Sequence, residues 1–223
     1  MDDVELTSGT SLLTHSEREE VEKLGHVTRY PAGSILFGAG ELTDFVLLVR
    51  HGHVKITTHS SEHIVAVRGP GETVGEMAAI GREPRSASVY ALSEVEALYV
   101  PGDVWLEFLY EHPRVMRALL RHLHARLKEA TRKQAEHGII GAEQRLARGL
   151  VELAAKIGTP DERGVCVALN QRELAGLVGV SRESVSQVVK RLRAMGAVAT
   201  GRQRIIITDE AILASVADGN TIS

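Results

Sequence analysis

The chain has 223 residues, 43 % hydrophobic and 25 % charged, which is an ordinary balance for one large globular domain or two modest ones. Apolar runs are short, as in Val46-Leu47-Leu48-Val49, so no membrane span is expected. The acidic start Met1-Asp2-Asp3-Val4-Glu5 lacks the basic-then-apolar pattern of a secretory signal, and a cytoplasmic location is expected.

Cys166 is the only cysteine. That excludes an internal disulfide framework and a four-thiolate iron–sulfur cluster within one chain. In the run Gly164-Val165-Cys166-Val167-Ala168 it reads as a buried, inert thiol. The net charge of −3 conceals an asymmetry. Residues 1–112 hold 8 Lys/Arg against 18 Asp/Glu, a balance of −10, whereas residues 171–207 hold 7 against 2, a balance of +5. A basic C-terminal segment on an acidic body points to a polyanion as partner of that segment alone.

From about Ile35 to Val100 short β-rich runs alternate with glycine and polar turns. Phe45–Val49, His53–Thr58, His63–Val67, Ser88–Ala91 and Val95–Val100 are the expected strands, a spacing that suits a small barrel or jelly roll. Pro113 then opens a helix over Arg114–His137. Met116, Leu120, Leu123, Leu127 and Ala130 alternate spacings of four and three, the seam of a two-stranded coiled coil. Leu119 widens the stripe at its start, so the helix is expected to pack on the barrel early and to self-associate later.

Gly138 and Gly141 bracket Ile139-Ile140 and break that helix at an expected hinge. Ala142–Ile157 is the next helix, with Leu146, Leu150, Leu153 and Ile157 on one face, and residues 158–164 read as a polar loop. Asn170 and Glu173 form a capping box that opens a short helix. Gly179 suits a tight turn, and Ser181 caps a second helix whose buried face is Val185, Val188, Val189 and Leu192. Its opposite face carries Arg182, Glu183, Ser186, Gln187 and Lys190.

Two short helices joined by a glycine turn are a helix-turn-helix, with the second helix entering the major groove. Arg182 suits guanine, Glu183 cytosine and Gln187 adenine. Ala197–Thr200 and Arg204–Ile207 flank Gly201-Arg202-Gln203 as a hairpin wing that brings Arg202 to phosphate; Gln171 opens the first helix beside the backbone. The bland alternative is a helical hairpin with a solvated face. Caps, turn, polar set, hairpin and local charge all favour DNA instead.

Gly75-Glu76-Met77 precedes a short helix, where backbone N–H groups can approach an anion. Arg85 and Ser86 can hold a phosphate and Glu76 a sugar hydroxyl. His51-x-His53, read as one strand face, with His59 and His63 near the next turn, raises zinc as a possibility. No cysteine or carboxylate completes the set, and no metal is expected.

Here the sequence resembles the cyclic AMP receptor protein (CRP/FNR) family of bacterial regulators over nearly its whole length. Leu36-Phe37-x-x-Gly40-Glu41-x-x-Asp44, Leu47-Leu48 and Gly52-x-Val54-Lys55-Ile56 resemble its barrel signature. Gly75-Glu76 with Pro84-Arg85-Ser86-Ala87 resembles its phosphate cassette, and residues 177–185 its DNA-reading motif.

The resemblance implies an α+β chain. A jelly-roll (β-roll) cyclic-nucleotide-binding sensor takes 1–112, a dimerisation helix 113–137, and a winged helix-turn-helix domain 138–223. It implies a cyclic nucleotide (cyclic AMP or cyclic GMP) as effector, held by Gly75, Glu76, Met77, Arg85, Ser86, Ala87, Arg126 and Thr131. In cyclic AMP-responsive members two adjacent hydroxyl residues lie near the base; here they are Ala130 and Thr131, so one donor is lost. Ala79 stands where a larger aliphatic residue is usual. The family's second reading arginine is replaced by Gln187.

The expected partners are palindromic double-stranded DNA, a second copy of the chain and RNA polymerase. The rival readings are a vestigial pocket in which Glu76 and Arg85 pair with each other, and a nucleotide-binding module acting on a protein partner. No sequence motif supports an enzyme.

Overall fold

In the computed structural model, which describes residues 12–58, 64–136 and 140–220, the first element is a helix that patterning does not reveal, α1 (His15–Glu22). Thr14 and Glu17 exchange hydrogen bonds as a capping box, which fixes its start. There follow β1 (His26–Tyr30), β2 (Ile35–Phe37), β3 (Val46–His51), β4 (Val54–Thr57), β5 (Ile64–Arg68), β6 (Thr73–Val74), α2 (Glu76–Gly81), β7 (Ser88–Ala91) and β8 (Val95–Val100).

The strands make two four-stranded antiparallel sheets, ordered β1-β8-β3-β6 and β2-β7-β4-β5. Both faces of β3 are covered, which explains its continuous apolar run. Leu47 and Val49 enter the core between the sheets with Phe37, Val54 and Val89. Val46 and Leu48 turn outward, beneath α3 (Gly102–Glu111) and α4 (Pro113–Glu136), against Trp105, Phe108 and Leu119. His51 and His53 are not on one strand: His51 ends β3, His53 precedes β4, and Gly52 between them turns the chain at φ +77°.

On α4, Val115, Ala118 and Leu119 are buried against the sensor, with Met116 and Leu123 partly so. Leu120 and Leu127 stand 59 % and 67 % exposed. The early stripe therefore serves the sensor, while the later seam points away from it.

The C-terminal half runs α5 (Ala142–Ile157), β9 (Thr159–Asp161), β10 (Gly164–Val167), α6 (Gln171–Val178), α7 (Arg182–Ala194), β11 (Val198–Gly201), β12 (Arg204–Ile207) and α8 (Glu210–Ala217). Residues 158–164, expected as a loop, instead begin a hairpin, because β10 finds a distant partner in β12 and the sheet orders as β11-β12-β10-β9. Leu146, Leu150, Leu174 and Leu192 are fully buried in the core beneath it, each contributing about 1.5–3 kcal/mol by removal from water. Cys166 is buried and free.

That core does not stop at the domain boundary: Ile64 and Val67 of β5 belong to it. Lys55 Nζ lies 2.6 Å from Glu173 Oε1, and Lys156 Nζ 2.9 Å from Glu72 Oε2, so two ion pairs join the halves. No described helix is long and apolar enough to cross a membrane. Residues 137–139, including Gly138 of the expected hinge, lie outside the described residues, as do His59 and His63.

Candidate effector pocket and nucleic-acid interface

Gly75 caps α2 at φ +88°, and a Cβ there would come within 2.6 Å of Arg85 Nη1 and 2.9 Å of the Phe45 carbonyl oxygen. Only glycine lets the backbone approach this closely. Arg85 is 3 % exposed. Its Nε donates to Thr43 Oγ1 (2.9 Å), its Nη1 to the Gly75 carbonyl (2.8 Å) and its Nη2 to the Phe45 carbonyl (2.8 Å). The guanidinium sits between the rings of Phe37 and Phe45, 4.2 and 4.3 Å from their centroids. Its main chain is tied to Gly40 and Glu41.

Burial pushes the Arg85 guanidinium below its ordinary pKa, an effect that the charge of Asp44 opposes. Arg85 forms no ion pair among the described residues. A buried cation held only by neutral oxygens is costly unless an anion joins it.

Glu76, 3 % exposed, pairs with Arg126 and not with Arg85. Arg126 Nη1 donates to Glu76 Oε1 at 2.6 Å, and Nη2 donates to the Thr73 carbonyl at 3.0 Å. The mutual Glu76–Arg85 pair weighed above is thereby excluded in this structure: Arg85 is already enclosed by carbonyls and rings, and α4 supplies the cation for Glu76. Glu76 Oε2 is buried with no hydrogen-bond partner, an acceptor left for a donor from a ligand.

Gly75, Glu76, Met77, Arg85, Ser86, Ala87 and Arg126 line one cavity of about 80 Å³. Thr131 is not among its lining residues; it is exposed and donates to the Leu127 carbonyl at 3.0 Å. Five residues beyond Arg126 is about 7.5 Å farther along the helix, which carries Thr131 past the cavity. Phe37, Phe45 and Thr43 clamp Arg85, a role the sequence does not announce: Phe37 enters only through the barrel signature and Phe45 only as the start of an expected strand.

In the second site α6 starts at Asn170, whose side chain accepts from Arg172 and Glu173 N–H groups while Glu173 returns a bond to Asn170 N. Gly179 ends α6 at φ +64°. Ser181 Oγ accepts from Ser184 N at 3.1 Å and so caps α7. Val185, Val188, Val189 and Leu192 are buried. Arg182, Glu183, Ser186, Gln187 and Lys190 form the exposed face, with Gln171 partly buried nearby. Arg202 is exposed in the turn between β11 and β12, beside Gln203 at φ +56°. A helix N-terminus beside exposed Arg and Lys can bind a polyanion, and the polar face can read base edges.

Of the expected seam, Leu120, Leu127 and Ala130 are exposed, whereas Met116 and Leu123 are shared with the sensor core. Among the described residues no group of three or more His, Cys, Asp or Glu is placed to hold a metal ion.

Residues 27–112 match the cyclic nucleotide-binding domain family, and residues 144–216 the Crp-like helix-turn-helix domain family. The chain is 32 % identical to the cyclic AMP receptor protein of Thermus thermophilus, over 85 % of this chain and 87 % of that protein. It is 28 % identical to the CRP-like cAMP-activated global transcriptional regulator of Mycobacterium tuberculosis, over 83 % and 85 %. Its fold is similar to that of the c-di-GMP responsive global regulator CLP of Xanthomonas campestris. That match has a TM-score of 0.75 and 25 % identity, over 88 % of this chain and all of that one.

Proposed function

The chain belongs to the CRP/FNR family of transcription regulators, and from that premise we propose that it is a sequence-specific, DNA-binding homodimer whose affinity is set by a cyclic nucleotide in the sensor. In this reading residues 1–112 sense, 113–137 dimerise and 138–223 bind DNA.

The observation that carries the effector is Arg85, a buried guanidinium without a carboxylate partner among the described residues. The proposed ligand places its cyclic phosphate against Arg85 and Ser86 and its ribose hydroxyl on Glu76 Oε2. Arg126 Nη1 holds Glu76 Oε1 and so aims the carboxylate. Relatives named as cAMP-activated or as a cyclic AMP receptor support cyclic AMP over cyclic GMP. The cavity of about 80 Å³ is smaller than the few hundred Å³ of ordinary ligand pockets, so binding has to part α4 from the cassette. The same narrowness favours the second reading, an effector-independent regulator.

The proposed DNA contacts are Arg182, Glu183, Ser186 and Gln187 to bases, and Gln171, Ser181, Lys190 and Arg202 to the backbone, on a palindromic site. Activation or repression then runs through RNA polymerase in the cytoplasm. Fluorescence anisotropy on a selected duplex, with and without cyclic AMP, tests this. The expected result is a steep loss of affinity with salt and tighter binding with nucleotide. Equal affinity with and without cyclic nucleotides supports the effector-independent reading, and absence of any DNA binding defeats both.

A further inference from the structure

We propose that Lys55, in the sensor barrel, is a positioning residue for DNA binding: through Glu173 it sets the helix-turn-helix against the sensor. The inference rests on the DNA-binding function proposed above.

Glu173 stands in the first turn of α6 and gives its two oxygens to different partners. Oε2 accepts from Asn170 N at 2.9 Å and completes the capping box, while Oε1 accepts from Lys55 Nζ at 2.6 Å. The carboxylate that starts the first helix of the motif is therefore also the point at which the sensor holds it. Gln171, expected to meet the DNA backbone, lies in the same turn.

Lys55 and Glu173 are 17 % and 12 % exposed, so a charge left alone there is costly and the pair is held in one geometry. The second pair that joins the halves, Lys156 with Glu72, is more exposed and contributes less. Val67, opposite Lys55 in the β4–β5 register, belongs to the same buried core as Leu174 and Leu177 of α6. Adjacent sensor strands thus address α6 by charge and by apolar packing.

The contact falls on α6 and leaves the reading face of α7 uncovered: Arg182, Glu183, Gln187 and Lys190 stay exposed. A contact that blocked DNA would hide that face. This one orients it, so part of the ordering cost of binding is met before DNA arrives. β4 is at the same time a wall of the effector cavity, which Ile56 lines, with its neighbour Lys55 on the opposite face of the strand.

The test is fluorescence anisotropy of the full chain on the selected duplex, with millimolar cyclic AMP present. Lys55→Met keeps the length of the side chain but leaves the Glu173 charge unpaired. It is expected to weaken DNA binding about fivefold, within the range for coupled residues in contact. Lys55→Arg restores the cation and most of the affinity. Glutamine still caps α6, so Glu173→Gln alone is expected to lose affinity by a similar factor, and it keeps the test decisive if Lys55→Met folds poorly. In the Glu173→Gln background Lys55→Met costs little more, a suppression that a general loss of sensor packing would not show. Either single variant binding as the parent does or more tightly, or an undiminished further loss in the double variant, overturns this inference alone. A parent that binds no DNA overturns the proposed function with it.

Discussion

Arg126 of α4 donates to Glu76 of α2 across 2.6 Å, so the helix expected to carry the dimer seam is tied directly to the carboxylate of the sensor pocket. Glu76 keeps one oxygen for Arg126 and leaves the other buried and unpartnered. Replacing the arginine leaves an uncompensated buried charge, which costs up to about 3–5 kcal/mol for a fully desolvated pair. Arg126 is 20 % exposed, which places the expected loss toward the lower end. Arg126→Gln is therefore expected to lower thermal stability and to weaken cyclic AMP binding together, measured by scanning and titration calorimetry. Unchanged nucleotide affinity would show that Arg126 does not position Glu76.

The exposed part of the seam gives a second expectation. Leu127 and Leu120 are the large apolar side chains that α4 leaves in solvent, whereas Leu123 also serves the sensor core. Leu127→Lys places like charges across the proposed seam. Light scattering is expected to report about half the parent mass, with DNA affinity falling because two half-sites are no longer held together. A parent protein that is monomeric at micromolar concentration would contradict the seam.

The reading helix gives a third. Arg182→Ala should cost about 1–3 kcal/mol on the selected site and relax one base pair. Lys190→Ala and Arg202→Ala should weaken all sequences alike and flatten the salt dependence. Gln187 favours adenine, so selection from a random duplex library should give adenine at the base pair that Gln187 faces, beside the guanine expected for Arg182. Strict selection of guanine at that position would show that Gln187 does not read that base.

The helix-turn-helix was legible because its signals are local. The Asn170–Glu173 box, the Gly179 turn and the Ser181 cap lie within a dozen residues, and each holds its expected place. Strands β3 and β7 were legible for the same reason. Partnerships across the chain were not. β10 pairs with β12 some forty residues later, and nothing in the polar composition of 158–164 announces it. Helices α1, α3 and α8 are short and owe their place to tertiary packing, which overrides weak local preference. The ion pair of Glu76 with Arg126 spans 50 residues. Resemblance assigns both side chains to the expected pocket, but only the fold joins them to each other. Thr131 was placed by homology of position and falls beyond the cavity.

The N-terminal helix supplies an expectation in pH. Hydrogen bonding to Arg114 holds the Glu17 carboxyl at about 2, below its ordinary 4.5. A depressed carboxylate stabilises the fold above its unfolded value, and the contribution is lost as pH falls from about 4.5 to about 2. Arg114 is 37 % exposed, so solvent screening reduces the effect to about 1–2 kcal/mol. His112 has the opposite sign. Both ring nitrogens face acceptors, the Phe108 carbonyl and Glu20 Oε2, each at 2.9 Å, and its pKa is raised, first by the Phe108 carbonyl. Its contribution is complete below the ordinary 6.5 and is lost as pH rises through the elevated folded value. Denaturant unfolding should therefore show Glu17→Gln costing most at neutral pH and His112→Gln costing more at pH about 5.5 than at about 8. Pairs of curves that stay parallel across pH would contradict these assignments.

The most direct test of the effector claim is calorimetric titration of the full chain with cyclic AMP and cyclic GMP, alongside Arg85→Gln. Saturable binding by the parent is expected, tighter for cyclic AMP, with a loss of about 2–5 kcal/mol in the variant, the range for removing one partner of a buried charge pair. Circular dichroism of the variant checks that the Phe37–Arg85–Phe45 stack is not needed merely for folding. A parent protein that takes up no cyclic nucleotide at millimolar concentration, or an Arg85→Gln variant that binds as the parent does, would contradict the account.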